Sequence, residues 1–174
     1  MNPLRFFIIV ISGLLLANSG CMNEPRLNKA KFADLDRTGK ELKAAFSAGD
    51  GCEVPDAVLQ RLDSGTEALK DKTASKAERD LLAAYVNLAA MSRDALLLCR
   101  SRGQLANFQF VPKGRIYVSQ ELDPVIERYD LAVERHLFKP TGAYLKSISS
   151  DSIKLIWDKA DALLNSIEVM LKYS

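Results

Sequence analysis

The chain has little of what metal sites and histidine-based catalysis need. Its 174 residues hold one histidine, His136, and three cysteines, Cys21, Cys52 and Cys99. A single histidine excludes an H-E-x-x-H pair, and the cysteine spacing excludes a C-x-x-C redox or zinc motif. No G-x-S-x-G elbow and no glycine-rich phosphate loop occurs. The expectation is a chain that is not an enzyme and takes no metal or cofactor. Glycine and proline are sparse, at nine and six residues, which argues against a disordered stalk and for ordered helices. Charge of one sign is also lacking: 24 basic and 22 acidic residues leave a net charge of +2. That field gives no reason to expect a nucleic-acid partner. The longest apolar run, Phe6 to Ala17, is roughly a dozen residues, against the ~20 a membrane-spanning helix requires.

That short run still has a meaning. Residues 1–20 have the three parts of an export signal: a lone Arg5, the apolar run, then the small residues Ser19 and Gly20. Directly after them comes Cys21. The segment Leu14-Leu15-Leu16-Ala17-Asn18-Ser19-Gly20-Cys21 resembles the signal of bacterial lipoproteins. The resemblance is confined to this N-terminal stretch. It implies cleavage before Cys21, a diacylglyceryl group on its sulfur and a lipid-held location outside the cytoplasm. Met22 after the cysteine implies the periplasmic face of the outer membrane in a Gram-negative host. Ala17-Asn18-Ser19 also reads as an A-x-A-like site, which would make the product a secreted periplasmic protein with Cys21 as a thiol; an uncleaved anchor is a third reading. Parity favours lipidation, because removing Cys21 leaves an even pair for an oxidising compartment. The domain plan is then a signal at 1–20, a lipidated tether at 21–26 and a helical domain at 27–174.

The rest of the chain reads as an all-α single bundle of about five helices. A first helix over 27–48 carries Phe32, Leu35, Leu42 and Phe46 on one stripe, with Gly39 there for a close helix approach. A second starts at Pro55 and runs to about Asp71, burying Val58, Leu59, Leu62 and Leu69. Ser75-Lys76-Ala77-Glu78 is a capping box opening a third helix to about Arg102. That helix is apolar on two adjacent faces, Leu81-Tyr85-Leu88-Ser92-Ala95-Cys99 and Leu82-Val86-Ala89-Leu96, and so is expected at the centre. A fourth is read over 119–138 from Leu122, Ile126, Tyr129, Val133 and Leu137, with His136 near its end, where a cation is favoured. Residues 140–150 read as a connection. A fifth helix spans 151–172 along Ile153, Ile156, Trp157, Ala160, Leu163, Leu164, Ile167 and Leu171.

Cys52 and Cys99 are expected to pair. If the second and third helices form an antiparallel hairpin, residue 55 lies opposite about residue 91. Three extended residues then carry Cys52 to the level of about residue 98, given ~3.3–3.6 Å per extended residue and ~1.5 Å per helical one.

One stretch is compositionally odd. From Ala95 to Gln120 there is no acidic residue, while Arg100, Arg102, Lys113 and Arg115 interleave with Phe108, Phe110 and Tyr117. Pro112-Lys113-Gly114 suits a turn, so a short β-hairpin at 107–118 is one reading and an ordered loop another. The stretch is either a contact surface for anionic headgroups or an acidic partner, or a connection whose aromatics plug the bundle. The functional expectation is a membrane-anchored binding or scaffolding module with an envelope-protein partner. By architectural analogy it could be a pilotin-like escort of an outer-membrane secretion or pilus component; an envelope enzyme or enzyme inhibitor is the remaining class.

Overall fold

The computed structural model describes residues 26–104, 113–138 and 141–173. The signal segment, Cys21, Phe108 and Phe110 lie outside these residues.

Five α-helices and a small sheet make up the described chain. A 3-10 turn at Lys29–Phe32 leads into α1 (Ala33–Ser47). Then come α2 (Asp56–Leu69), α3 (Lys76–Gln104), β1 (Arg115–Tyr117), α4 (Asp123–Tyr129), β2 (Glu134–Phe138), β3 (Ala143–Ser149) and α5 (Asp151–Tyr173). Helices α1, α2, α3 and α5 run up, down, up and down around one core. Leu35, Leu42, Leu62, Leu81, Tyr85, Leu88, Ile156 and Ala160 are almost wholly buried there. The expected stripes on α1, α2, α3 and α5 hold except at Val86, which is 46% exposed. Gly39 does admit a close neighbour: a Cβ there would lie 3.1 Å from Leu164 Cδ2. Helix α3 is long and apolar enough to cross a bilayer by length and composition, and half of its most apolar window is buried against the other helices.

The two ends of the bundle are tied differently. At the end where the chain enters, the serine half of the capping box forms, with Ser75 Oγ accepting from the Glu78 backbone N–H (3.1 Å). The Glu78 carboxylate reaches further than a helix cap needs. It accepts from the backbone N–H groups of Ala74 (2.7 Å) and Asn28 (3.2 Å) and from the Lys31 ammonium (3.0 Å). Three donor groups thus converge on one buried carboxylate, joining the chain entry to the α2–α3 turn. The Ala74 N–H contributes most to holding its pKa at about 2, against 4.5 for an ordinary glutamate; Lys31 and Asn28 add to this while burial opposes it. A depressed carboxylate stabilises the fold fully above its unfolded pKa. Stability from this group should therefore fall as pH drops from 4.5 towards about 2. Glu78→Gln is expected to cost about 2 kcal/mol at neutral pH, since it leaves donors facing an amide. The variant should also lose part of the acid sensitivity, as read by urea unfolding at neutral pH and at about pH 3. An unchanged acid profile would exclude Glu78 as its source.

Two stretches differ from the sequence reading. The helix expected over 119–138 stops at Tyr129, because Asp130 takes a left-handed conformation (φ 50°) that ends it. Residues 134–138 form β2 instead, and the expected connection at 140–150 contains β3. Leu122 and Val125 are buried, but Val133 and Leu137, the last members of the supposed stripe, are exposed. Spacing alone misled here: short apolar recurrences fit both periods, and pairing with a distant strand decides between them. The sheet has the order β1-β3-β2, antiparallel throughout. Within 107–118, residues 115–117 are indeed a strand, but its partner is β3, with Ile116 opposite Ile148. Residues 107–111 lie outside the described chain.

The sheet and α4 form an insertion between α3 and α5. Ile116 and Ile148 plug one face of the sheet against the helices. Helix α4 is fastened to α3 at Asp94, which accepts from Arg128 (2.5 Å) and the Tyr129 hydroxyl (3.0 Å).

Candidate functional site

Cys52 and Cys99 are bridged, with Cα atoms 5.5 Å apart. The bridge clamps the α1–α2 loop to the last turns of α3. Arg102 reinforces it, pairing with Asp50 and reaching to 3.2 Å from Cys52 Sγ. That guanidinium, together with the Cys52 backbone N–H, holds the Asp50 carboxyl below its usual range. Arg100 is exposed at the rim of a shallow cleft beside the disulfide.

The odd basic and aromatic stretch does not form one surface among the described residues. Arg100 and Arg102 belong to the end of α3. Lys113 is exposed in the turn before β1. Arg115 and Tyr117 lie two residues apart on β1 and share its polar face. Arg115 is largely covered, donating from Nε to Ser147 Oγ (3.1 Å) and pairing with Glu134 (2.9 Å).

That polar face also holds His136, on β2 rather than on a helix. Its Nε2 lies 2.9 Å from Ser147 Oγ. A serine–histidine contact invites comparison with a nucleophile and base. However, Glu134 approaches the same Nε2, at 3.8 Å, rather than Nδ1, where a relay places its orienting group. The hydroxyl is buried and already accepts from Arg115. The cluster therefore closes the polar face of the sheet. Sequence reasoning missed it because residues 115, 134, 136 and 147 meet only through strand pairing.

A cleft of about 720 Å³ lies between the end of α1, the 49–51 loop and the start of α5. Its three cations each meet a carboxylate, Lys43 with Asp161 (2.8 Å), Lys154 with Asp158 (2.7 Å) and Arg102 with Asp50, while a fourth carboxylate, Asp151, accepts from Ser149 Oγ (3.1 Å). Its wall is Trp157, stacked on Phe46 at 4.7 Å. Among the described residues, no group of three side chains suited to a metal occurs.

The sheet edge is the feature left unsatisfied. Among the described residues nothing pairs with the outer side of β2. Arg135, Leu137, Tyr144 and Lys146 share one face near that edge, with Leu137 directly opposite Tyr144 and Arg135 opposite Lys146. Leu137 is 53% and Tyr144 69% exposed. Like charges facing each other across strands are destabilising, and exposed apolar residues on an open edge invite pairing. Arg135 and Lys146 line one shallow cleft with Asp123 and Glu127 of α4, whereas Leu137 and Tyr144 stay exposed.

Comparisons with protein families, curated proteins and solved structures give no match. The class defined by the geometry is an up-and-down helical bundle with an inserted sheet that offers an open edge.

Proposed function

We propose that this chain is a lipid-anchored, non-enzymatic binding module of the cell envelope, and that the β2 edge receives an extended segment of a partner protein. The observation carrying the reading is the open edge beside the exposed Leu137–Tyr144 pair. Such an edge offers backbone hydrogen bonds for affinity and side-chain contacts for selectivity, as in β-strand addition. Arg135 and Lys146, both exposed beside the edge, favour a segment that carries acidic residues. The Cys52–Cys99 bridge supports an oxidising compartment, and Cys21 after an export-type signal supports the anchor.

Position-specific cross-linking in the native envelope tests the partner surface. Cross-linkers at positions 137 and 144 should give a discrete adduct, and one at the exposed Leu155 of α5 should not. Leu137→Glu with Tyr144→Glu should lower partner recovery at least tenfold, if each exposed anchor contributes more than about 1 kcal/mol. The thermal midpoint should barely change, because surface substitutions stay within about 0.5 kcal/mol. Undiminished recovery with an intact fold would remove the edge from consideration. For the anchor, the mature N-terminal peptide should carry acyl mass on Cys21; an unmodified thiol there would contradict it.

A further inference from the structure

We infer that the bundle end where the chain enters rests on an anionic lipid surface through a basic and aromatic collar of Arg26, Lys29, Lys72, Lys172 and Tyr173. This rests on the lipid-anchor reading above and assigns it a second, protein-borne contact with the same membrane.

Three separate parts of the chain meet at this end. Lys29 Nζ donates to the Lys172 carbonyl (3.3 Å), and Lys31 Nζ to the Lys72 carbonyl (3.1 Å). The chain entry, the α2–α3 turn and the last turn of α5 are thereby held together. All five collar residues are exposed. Tyr173 is 75% exposed and Val169, one helical turn earlier, 56%. The Lys172 ammonium lies 5.2 Å from the Tyr173 ring centre. Tyrosine with neighbouring cations is the combination favoured at the headgroup level of a bilayer.

The charge pattern distinguishes this end from the other. At the far end Lys43, Lys154 and Arg102 each face a carboxylate. At the entry end Glu78 is buried under its own donors and Glu67 pairs with Lys70, which leaves Asp71 on the α2–α3 turn and Glu168 on α5 as exposed carboxylates against the four collar cations Arg26, Lys29, Lys72 and Lys172. The excess of cations is therefore outward.

Chain length sets the distance. Cys21 to Arg26 spans at most ~15–20 Å, given ~3.3–3.6 Å per residue. A lipid on Cys21 thus keeps this end beside the headgroups, where surface charge acts over ~8 Å at physiological salt. The far end, at the top of α3, stands about 43 Å away along that helix at 1.5 Å per residue, so the membrane contact is confined to one end.

The test uses the lipidated full-length mature protein on vesicles of phosphatidylcholine, alone or mixed equally with phosphatidylglycerol. Flotation reports the anchor, and site-resolved acetylation by a membrane-impermeant ester reports the collar. Lys29, Lys72 and Lys172 should react about threefold or more slowly on the anionic vesicles, as expected for about 1 kcal/mol per basic residue near such a surface. Lys154 should react equally on both. In Lys29→Glu with Lys172→Glu, flotation should persist while Lys72 loses its protection. Equal rates at the three collar lysines on both vesicles, with flotation intact, would overturn the collar and leave the anchor standing. Protection of Lys154 to the same degree would also overturn it. Flotation with neither vesicle would overturn the anchor reading, and the collar with it.

Discussion

Replacing Cys52 and Cys99 together by alanine is expected to remove about 4 kcal/mol of stability, the chain-entropy value for a loop of this size. The bridge spans 47 residues of sequence, enclosing the whole α2 and most of α3. Without it, the unfolded chain regains the freedom of that loop, while the folded chain keeps most of its contacts. In a domain of this size, ~1 kcal/mol corresponds to about 2–4 °C, so the thermal midpoint should fall by about 8–16 °C. Thermal or urea unfolding of the double variant measures it directly, and reduction of the unsubstituted protein should move the midpoint the same way. A loss below about 1 kcal/mol would mean that the Asp50–Arg102 pair and the packing of Gly51 hold the loop without the bridge.

Gly51→Ala is expected to cost about 3 kcal/mol, from two sources that act on the same atom. Gly51 has φ +77°, a left-handed conformation that disfavours any side chain. A Cβ there would also lie 2.2 Å from Trp157 Nε1 and 2.4 Å from Cδ1. The indole cannot retreat, because Phe46 is stacked on it at 4.7 Å. Gly49→Ala, two residues earlier, meets nothing within 4 Å and should change stability by less than about 0.5 kcal/mol. Trp157 is the only tryptophan in the chain, so its fluorescence reports this one contact during unfolding. Equal effects at both glycines would show that the fit of the loop against α5 is not what sets the cost. The indole N–H at this contact is buried, with no hydrogen-bond partner among the described residues.

Much of the helical architecture was readable from spacing. The apolar stripes on α1, α2, α3 and α5 recur at steps of three and four over many turns, and long amphipathic helices announce their buried face locally. The start of α3 was equally local, because a capping box is made by residues three apart. The disulfide was legible at one remove: once two helices are placed as an antiparallel hairpin, their rise per residue brings Cys52 to the level of Cys99.

The candidate site was not legible. Leu137 and Tyr144, or His136 and Ser147, carry no shared local signal; strand register alone makes them neighbours. Arg115 illustrates the converse. In sequence it stands in a stretch without acids and looks outward-facing, yet the fold turns it onto Glu134 and Ser147. The reach of Glu78 to Asn28 across 50 residues of sequence was likewise invisible, although its role within the capping box was not.

The sequence by itself determined the four long helices, the faces they bury, the cap of α3 and the pairing of two of three cysteines, because each follows from periodicity, from side chains a few residues apart or from rise per residue. Only the tertiary structure decided where α4 stops, that residues 134–138 and 143–149 are strands, and that β2 lies at an edge of their sheet. Those outcomes depend on contacts between distant segments, and a short apolar run takes its conformation from the partner it finds.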